Sequence, residues 1–169
     1  MLMTCWAAFL IIVLLGVAVA PGQEIVFPDL RGGDSAANAI FRLEDGAMEQ
    51  WRRGNPRRWA EISADEISYV DPGLVAPIVG IEAYRKYVEP FIGKVHYDGS
   101  EYVKPRVALY GDLAVLTYNY HSLSKGKDGK PKRNSFWNTT EVYHRNAGQW
   151  NIVHTHWSYI QGRREGGGV

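Results

Sequence analysis

The spacing of apolar residues changes character near residue 95. Upstream they recur every three or four positions, as on a helix with one buried stripe; downstream they alternate or run together, as in strands. In AANAIFRLEDGAMEQWRRG the apolar positions 36, 40, 43, 47 and 51 predict a helix, capped by Asp34 or Ser35, weakened by Gly46 and ended by Gly54. NPRRWAEI predicts a second, short helix with Pro56 near its first position. ISYVDPG reads as a strand stopped by Pro72 and Gly73. IEAYRKYVEPF reads as a third helix with Ile81, Tyr84, Tyr87 and Val88 on one side.

Four β-rich runs follow: VHYDGSEYVKPRVALY, DLAVLTYNYHSL, SFWNTTEVYHR and QWNIVHTHWSYI. Their connections, Tyr110-Gly111-Asp112, SKGKDGKPKRN and Asn146-Ala147-Gly148, are short or contain glycine and favour antiparallel hairpins. Helices first and strands afterwards indicate an α+β domain, with the helices covering one face of a curved sheet.

The 169 residues suffice for one domain, and the ends divide off by composition. Residues 1–20 are uncharged and apolar, which reads as a signal peptide or an N-terminal anchor. The domain is then expected outside the cytoplasm, periplasmic or extracellular, with membrane contact only through 1–20 if that segment is uncleaved. Residues 21–33 read as a linker, 34–160 as the domain and 161–169 as a disordered tail. A net charge of +1 carries no footprint for nucleic acid. The basic loop Lys125 to Arg133 reads as a solvated hairpin tip or an anion contact.

Chemistry-bearing residues concentrate at the C-terminal end. On the last run one face carries Trp150, Ile152, His154, His156 and Ser158, and the other carries Asn151, Val153, Thr155, Trp157 and Tyr159. Both faces are half apolar, so both are expected to be covered, one by the helices and a cavity, the other by a partner subunit or the sheet's own curl. A metal at His154 and His156 needs a further ligand, and His144 sits beside a turn with no spacing rule to bring it there, so no metal or cofactor is assigned. The one cysteine, Cys5, lies in the leader, and neither a nucleophile elbow nor a phosphate loop occurs. Asn138-Thr139-Thr140 fits the glycosylation pattern but lies in mid-strand.

DGKPKRN followed by TTEVYHRNAGQWNIVHTHWS resembles the end of the association (hub) domain of calcium/calmodulin-dependent protein kinase II, and more broadly the SnoaL-like group of the nuclear transport factor 2 superfamily. Upstream, SYVDPG and VGIEAYRKYVEPF resemble that family's strand, acidic-proline turn and third helix. The resemblance implies a cone-shaped fold, with three N-terminal helices packed on a strongly curved antiparallel sheet, a pocket inside and homodimers or larger assemblies. It places Tyr84, Asn119, Glu141 and Trp157 in the pocket and matches Asp71 to the acid before proline. Alternation agrees in part, since Trp137, Thr139 and Glu141 share one face of their strand and Thr155 and Trp157 one face of theirs; His154 and His156 then point away. The hub pocket has arginines where this chain has Asn119, Glu141 and Trp157, and a histidine where it has Tyr84. The fork that grips carboxylates is therefore missing, and a neutral, aromatic or cationic ligand fits better.

The first functional reading is an exported domain that binds a small organic ligand and self-associates. The alternative is a cofactor-independent isomerase, cyclase or dehydratase, with Asp71 and Glu141 as acid and base and Tyr69, Tyr84, Tyr118 or Tyr120 donating to an oxyanion. Against catalysis, Asp71 can serve to cap its Asp-Pro-Gly turn, and Glu141 to pair with an arginine such as Arg106.

Overall fold

The computed structural model describes residues 24–26 and 35–160. The leader, the tail and Cys5 lie outside the described residues, as does most of the stretch read as a linker. Within that stretch Glu24–Val26 forms a strand, β1, which pairs antiparallel with Val107 to Leu109. Its three residues are too few for a period to register.

The three predicted helices are present as α1 (Ala36–Arg52), α2 (Arg57–Glu61) and α3 (Ile81–Val88). Ser35 is the cap of α1, its hydroxyl accepting from the Asn38 amide at 3.2 Å. Gly54 closes the corner after α1 with φ +87°, and a β-carbon there would meet the backbone of Gly93 at 3.1 Å, so glycine is required for both reasons. The strands are β2 (Ser63–Val70), β3 (Ile78–Val79), β4 (Gly99–Tyr110), β5 (Leu113–Lys125), β6 (Pro131–Asn146) and β7 (Gln149–Tyr159).

The sheet corrects the expected one. Its order is β1-β4-β5-β6-β7-β2-β3, and β2 runs parallel to β7, so the sheet is mixed rather than antiparallel. It is neither strongly curved nor closed into a cone, and β1 and β3 are its open edges. Short hairpins force neighbouring strands to be antiparallel, but no hairpin joins β2 to β7, so local connections could not reveal their direction.

A second correction concerns β7. Val142 pairs with His154 but Tyr143 pairs with Ile152, so Val153 is an extra residue in β7. This bulge reverses the alternation, as one inserted residue must. Ile152, at 0 % exposure, therefore lies on the helix side with Thr155, whereas His154 and His156 lie on the other. Part of the mixed polarity of the run comes from this change of face within one strand. The core between helices and sheet is built on Ile40 of α1, Ile67 of β2, Leu116 of β5, Tyr143 of β6 and Ile152, all fully buried.

Candidate functional site

A cavity of about 440 Å³ opens between the helices and the inner face of β5, β6, β7 and β2. Its walls are mainly aromatic: Trp51 and Trp59 from the helical side, Trp137 and Trp157 from the sheet, Tyr84, Tyr87 and Phe91 from α3 and the turn after it. Trp157 meets Trp59 and Trp137 nearly at right angles, with ring centroids 6.4 and 6.0 Å apart. A larger trough, about 800 Å³, lies beside the basic hairpin, but it is open surface. There Glu101 is held at a pKa of about 2, chiefly by hydrogen bonding to Arg133 and then to His121. The aromatic cavity is the more enclosed of the two.

Asp71 is the carboxylate on the cavity wall. Its Oδ1 accepts from the Gly73 amide at 2.6 Å, while Oδ2 accepts from the Tyr69 hydroxyl at 3.0 Å and from the Tyr87 hydroxyl. Turn capping and an acid facing the cavity are thus both true, one oxygen for each. The Tyr87 phenol is pushed up by burial and by its bond to Asp71, so it stays a proton donor.

Behind the wall lies a pair of acids. Glu44 of α1 and Glu141 of β6 are both 0 % exposed. The Tyr143 hydroxyl lies 2.9 Å from an oxygen of each, Tyr118 donates to the other Glu44 oxygen, and Thr155 reaches Glu141 at 3.5 Å. Among the described residues no guanidinium enters this cluster, and Arg106 is exposed, so the alternative pairing of Glu141 with it is not made. The single Tyr143 proton cannot serve both acids at once, so one carboxyl must itself donate. Burial, and then the adjacent Glu44, raise the Glu141 pKa well above the carboxylate range. Burial also raises that of Glu44, against the hydrogen bonds it receives. We assign the retained proton to Glu141.

Of the residues expected in the pocket, Tyr69, Asp71, Tyr84, Trp137 and Trp157 line the cavity. Thr139, Glu141 and Thr155 face the same side but are sealed beneath its wall. Asn119 is on the opposite face, its amide donating to Asn138 Oδ1 at 2.8 Å, because Tyr118 and Tyr120 occupy the inward parity of β5. Among the candidate oxyanion donors, Tyr69 is engaged by Asp71, Tyr118 by Glu44, and Tyr120 by Tyr97 and Ser100 at 2.6 and 2.7 Å. Tyr84 has no hydrogen-bond partner among the described residues. Its phenol is raised well above its usual value, by burial first and then by the neighbouring Glu141 and Glu44 carboxyl groups, so it remains protonated. His154 Nδ1 lies 2.7 Å from Ser68 Oγ on the outer face, and among the described residues no three His, Cys, Asp or Glu side chains gather as a metal site. Glu44 was missed altogether. Its signal was an acid four residues after Ile40 and three before Ala47, inside the apolar stripe of α1.

Comparison with known proteins agrees with this architecture. A candidate ketosteroid isomerase from Parabacteroides distasonis shares 31 % identity, with a TM-score of 0.64 over 80 % of this chain and 96 % of the other. A candidate dehydratase of the NTF2-like family from Streptomyces avermitilis superposes with a TM-score of 0.61 at 19 % identity, over 75 % and 96 % of the two chains. The S. rosetta CaMKII hub gives 0.60 at 18 % identity, over 76 % and 100 %. No curated protein sequence matches the chain. The model of the calcium/calmodulin dependent protein kinase II association domain matches residues 36–161, and this chain belongs to that family, within the NTF2-like fold.

Proposed function

We propose that this domain is a cofactor-independent enzyme that moves a proton on a small, uncharged, largely apolar carbonyl compound, with Asp71 as the base. The observation that carries this reading is the position of Asp71, a carboxylate on the wall of a mainly aromatic cavity. A carboxylate offers about four acceptor directions, and Gly73, Tyr69 and Tyr87 fill three, leaving one on Oδ1 for a substrate proton. The tyrosines fix the carboxylate's orientation, while the aromatic walls hold an apolar ring and exclude water. As a proton leaves the carbon next to the carbonyl, negative charge collects on the carbonyl oxygen. Tyr84 is the free hydroxyl suited to receive it. The Parabacteroides relative, described as a candidate isomerase, supports the same class of chemistry.

The test is solvent exchange in D2O at carbons next to the carbonyl, followed by NMR for a panel of cyclic ketones. Exchange above buffer is expected, with a loss of about 10²–10⁴-fold in Asp71→Asn. No exchange with any ketone, or full exchange by Asp71→Asn, would overturn the assignment.

Self-association through the outer sheet face belongs to the same proposal. That face carries Val115, Thr140, Val142 and His154, half-buried, beside exposed His156, and no helix of the described chain covers it. A homodimer or larger assembly would do so. Export directed by residues 1–20 completes the proposal, on their uncharged apolar composition.

A further inference from the structure

The hydroxyl groups of the cavity differ in whether their protons have somewhere to go. Those of Tyr69 and Tyr87 go to Asp71. Ser100, Tyr120 and Tyr97 form a chain with spacings of 2.7 and 2.6 Å that ends on the Met48 sulfur, which accepts from Tyr97 at 3.3 Å. Run in that direction, every proton in the chain has an acceptor. Ser122 and Ser135 are different. Their oxygens are 2.7 Å apart, so two hydroxyls share one hydrogen bond, and the second proton has no acceptor among the described residues. Both serines lie on the cavity wall, Ser122 at 8 % exposure. The sheet builds the pair deliberately close, since the two residues are directly opposed in β5 and β6. Strand alternation turns His121 to Glu101, its partner on β4, while Ser122 keeps to the cavity.

The pair is also far from Asp71. From β6 to the end of β2 is two strand spacings, and Ser135 lies four residues along β6 from Thr139, which is level with Trp157. At about 4.8 Å per spacing and 3.3 Å per residue, the two polar ends stand roughly 16 Å apart across a flat sheet. The aromatic rings of Trp137, Trp157 and Tyr87 occupy the interval.

We propose that Ser122 and Ser135 form a second hydrogen-bonding subsite, and that the substrate is an elongated, uncharged ring compound with an oxygen at each end. This rests on the reading of the cavity as the substrate site. One end presents the reacting carbonyl region to Asp71; the other oxygen, a hydroxyl or carbonyl, takes the free serine proton. A rigid biphenyl with oxygens at both ends is about 10 Å long, and a hydrogen bond of about 2.7 Å at each end brings it near the required span.

The test uses two probes of equal size, 4,4′-dihydroxybiphenyl and 4-hydroxy-4′-methylbiphenyl, titrated against tryptophan fluorescence. The native protein is expected to bind the dihydroxy probe about fivefold or more tightly than the methyl probe, the effect of one further hydrogen bond. In Ser122→Ala/Ser135→Ala that preference should vanish while the methyl probe still binds. The comparison in native protein stands even if the double variant fails to fold. Equal affinities in the native protein, or a preference that survives in the double variant, would overturn the subsite while binding of the methyl probe upholds the cavity. Failure of both probes to bind at millimolar concentration would overturn the cavity reading, and the subsite with it.

Discussion

Replacing Glu141 by glutamine tests the buried acid pair most directly, because glutamine resembles the protonated acid in shape and has no charge to acquire. The folded pKa of Glu141 lies well above its ordinary value of 4.5, chiefly through burial and then through Glu44. A carboxyl raised in this way holds its proton in the folded state after the unfolded chain has released it. Its contribution to stability is therefore complete below pH 4.5 and falls as pH rises through the window up to the folded value. The slope is about 1.4 kcal/mol per pH unit for one proton. Glu141→Gln removes that slope, so its stability relative to the native protein should climb by about 1.4 kcal/mol per unit across the window. Glu44→Gln acts in the opposite sense. It replaces one of the two oxygens that accept from Tyr118 and Tyr143 by an amide nitrogen, which cannot accept, and should cost about 1–3 kcal/mol at neutral pH, the penalty for a buried hydroxyl left without its partner. The assay is urea unfolding followed by circular dichroism at half-unit steps from pH 5 to 8. A stability difference for Glu141→Gln that stays flat with pH would refute the shared-proton account. So would a loss of several kcal/mol for that variant at pH 7, which would mean that Glu141 is the ionised partner.

Two further outcomes are expected. Light scattering of the purified protein at micromolar concentration should give a dimer mass or larger, and His156→Asp on the outer face should shift it towards monomer; monomer alone for the native protein would remove that interface. Fractionation with N-terminal sequencing should find the protein outside the cytoplasm, either cleaved near residue 20 or retained on the membrane; intact protein free in the cytoplasm would end the export proposal.

The elements that could be read from the sequence are those whose signal is local. Each helix carries its own stripe and punctuation, as with Ser35 and Gly54 around α1, and each hairpin carries its own turn. Asp71 was matched by resemblance to the acid before proline, while its Asp-Pro-Gly turn offered a capping role from the sequence itself. The pairing of β2 with β7 left no local trace. The bulge at Val153 left one, two half-apolar faces, but the same pattern fits a strand covered on both sides. Asn119 was placed by resemblance, although the inward tyrosines at 118 and 120 exclude it from the cavity by parity alone. Glu44 escaped because the stripe of α1 was traced through apolar residues only, and a buried acid announces itself only when its partners, here Tyr118, Tyr143 and Glu141, are known.

The parallel seam between β2 and β7 has a consequence for how the chain acquires its shape. Ser68 and His154 are 86 positions apart, and β3, α3 and the β4-to-β6 meander lie between the two strands of the seam. The hairpins close early, since each joins neighbours in the chain; the seam closes only after the last strand has been made. Tyr69 and the Asp71 turn arrive on one side of it, Thr155 and Trp157 on the other. A nascent chain short of residue 150 can hold a formed meander but no enclosed cavity. The cavity around Asp71 thus waits for the final step of folding, and a truncated or stalled product lacks the cavity as well as the seam.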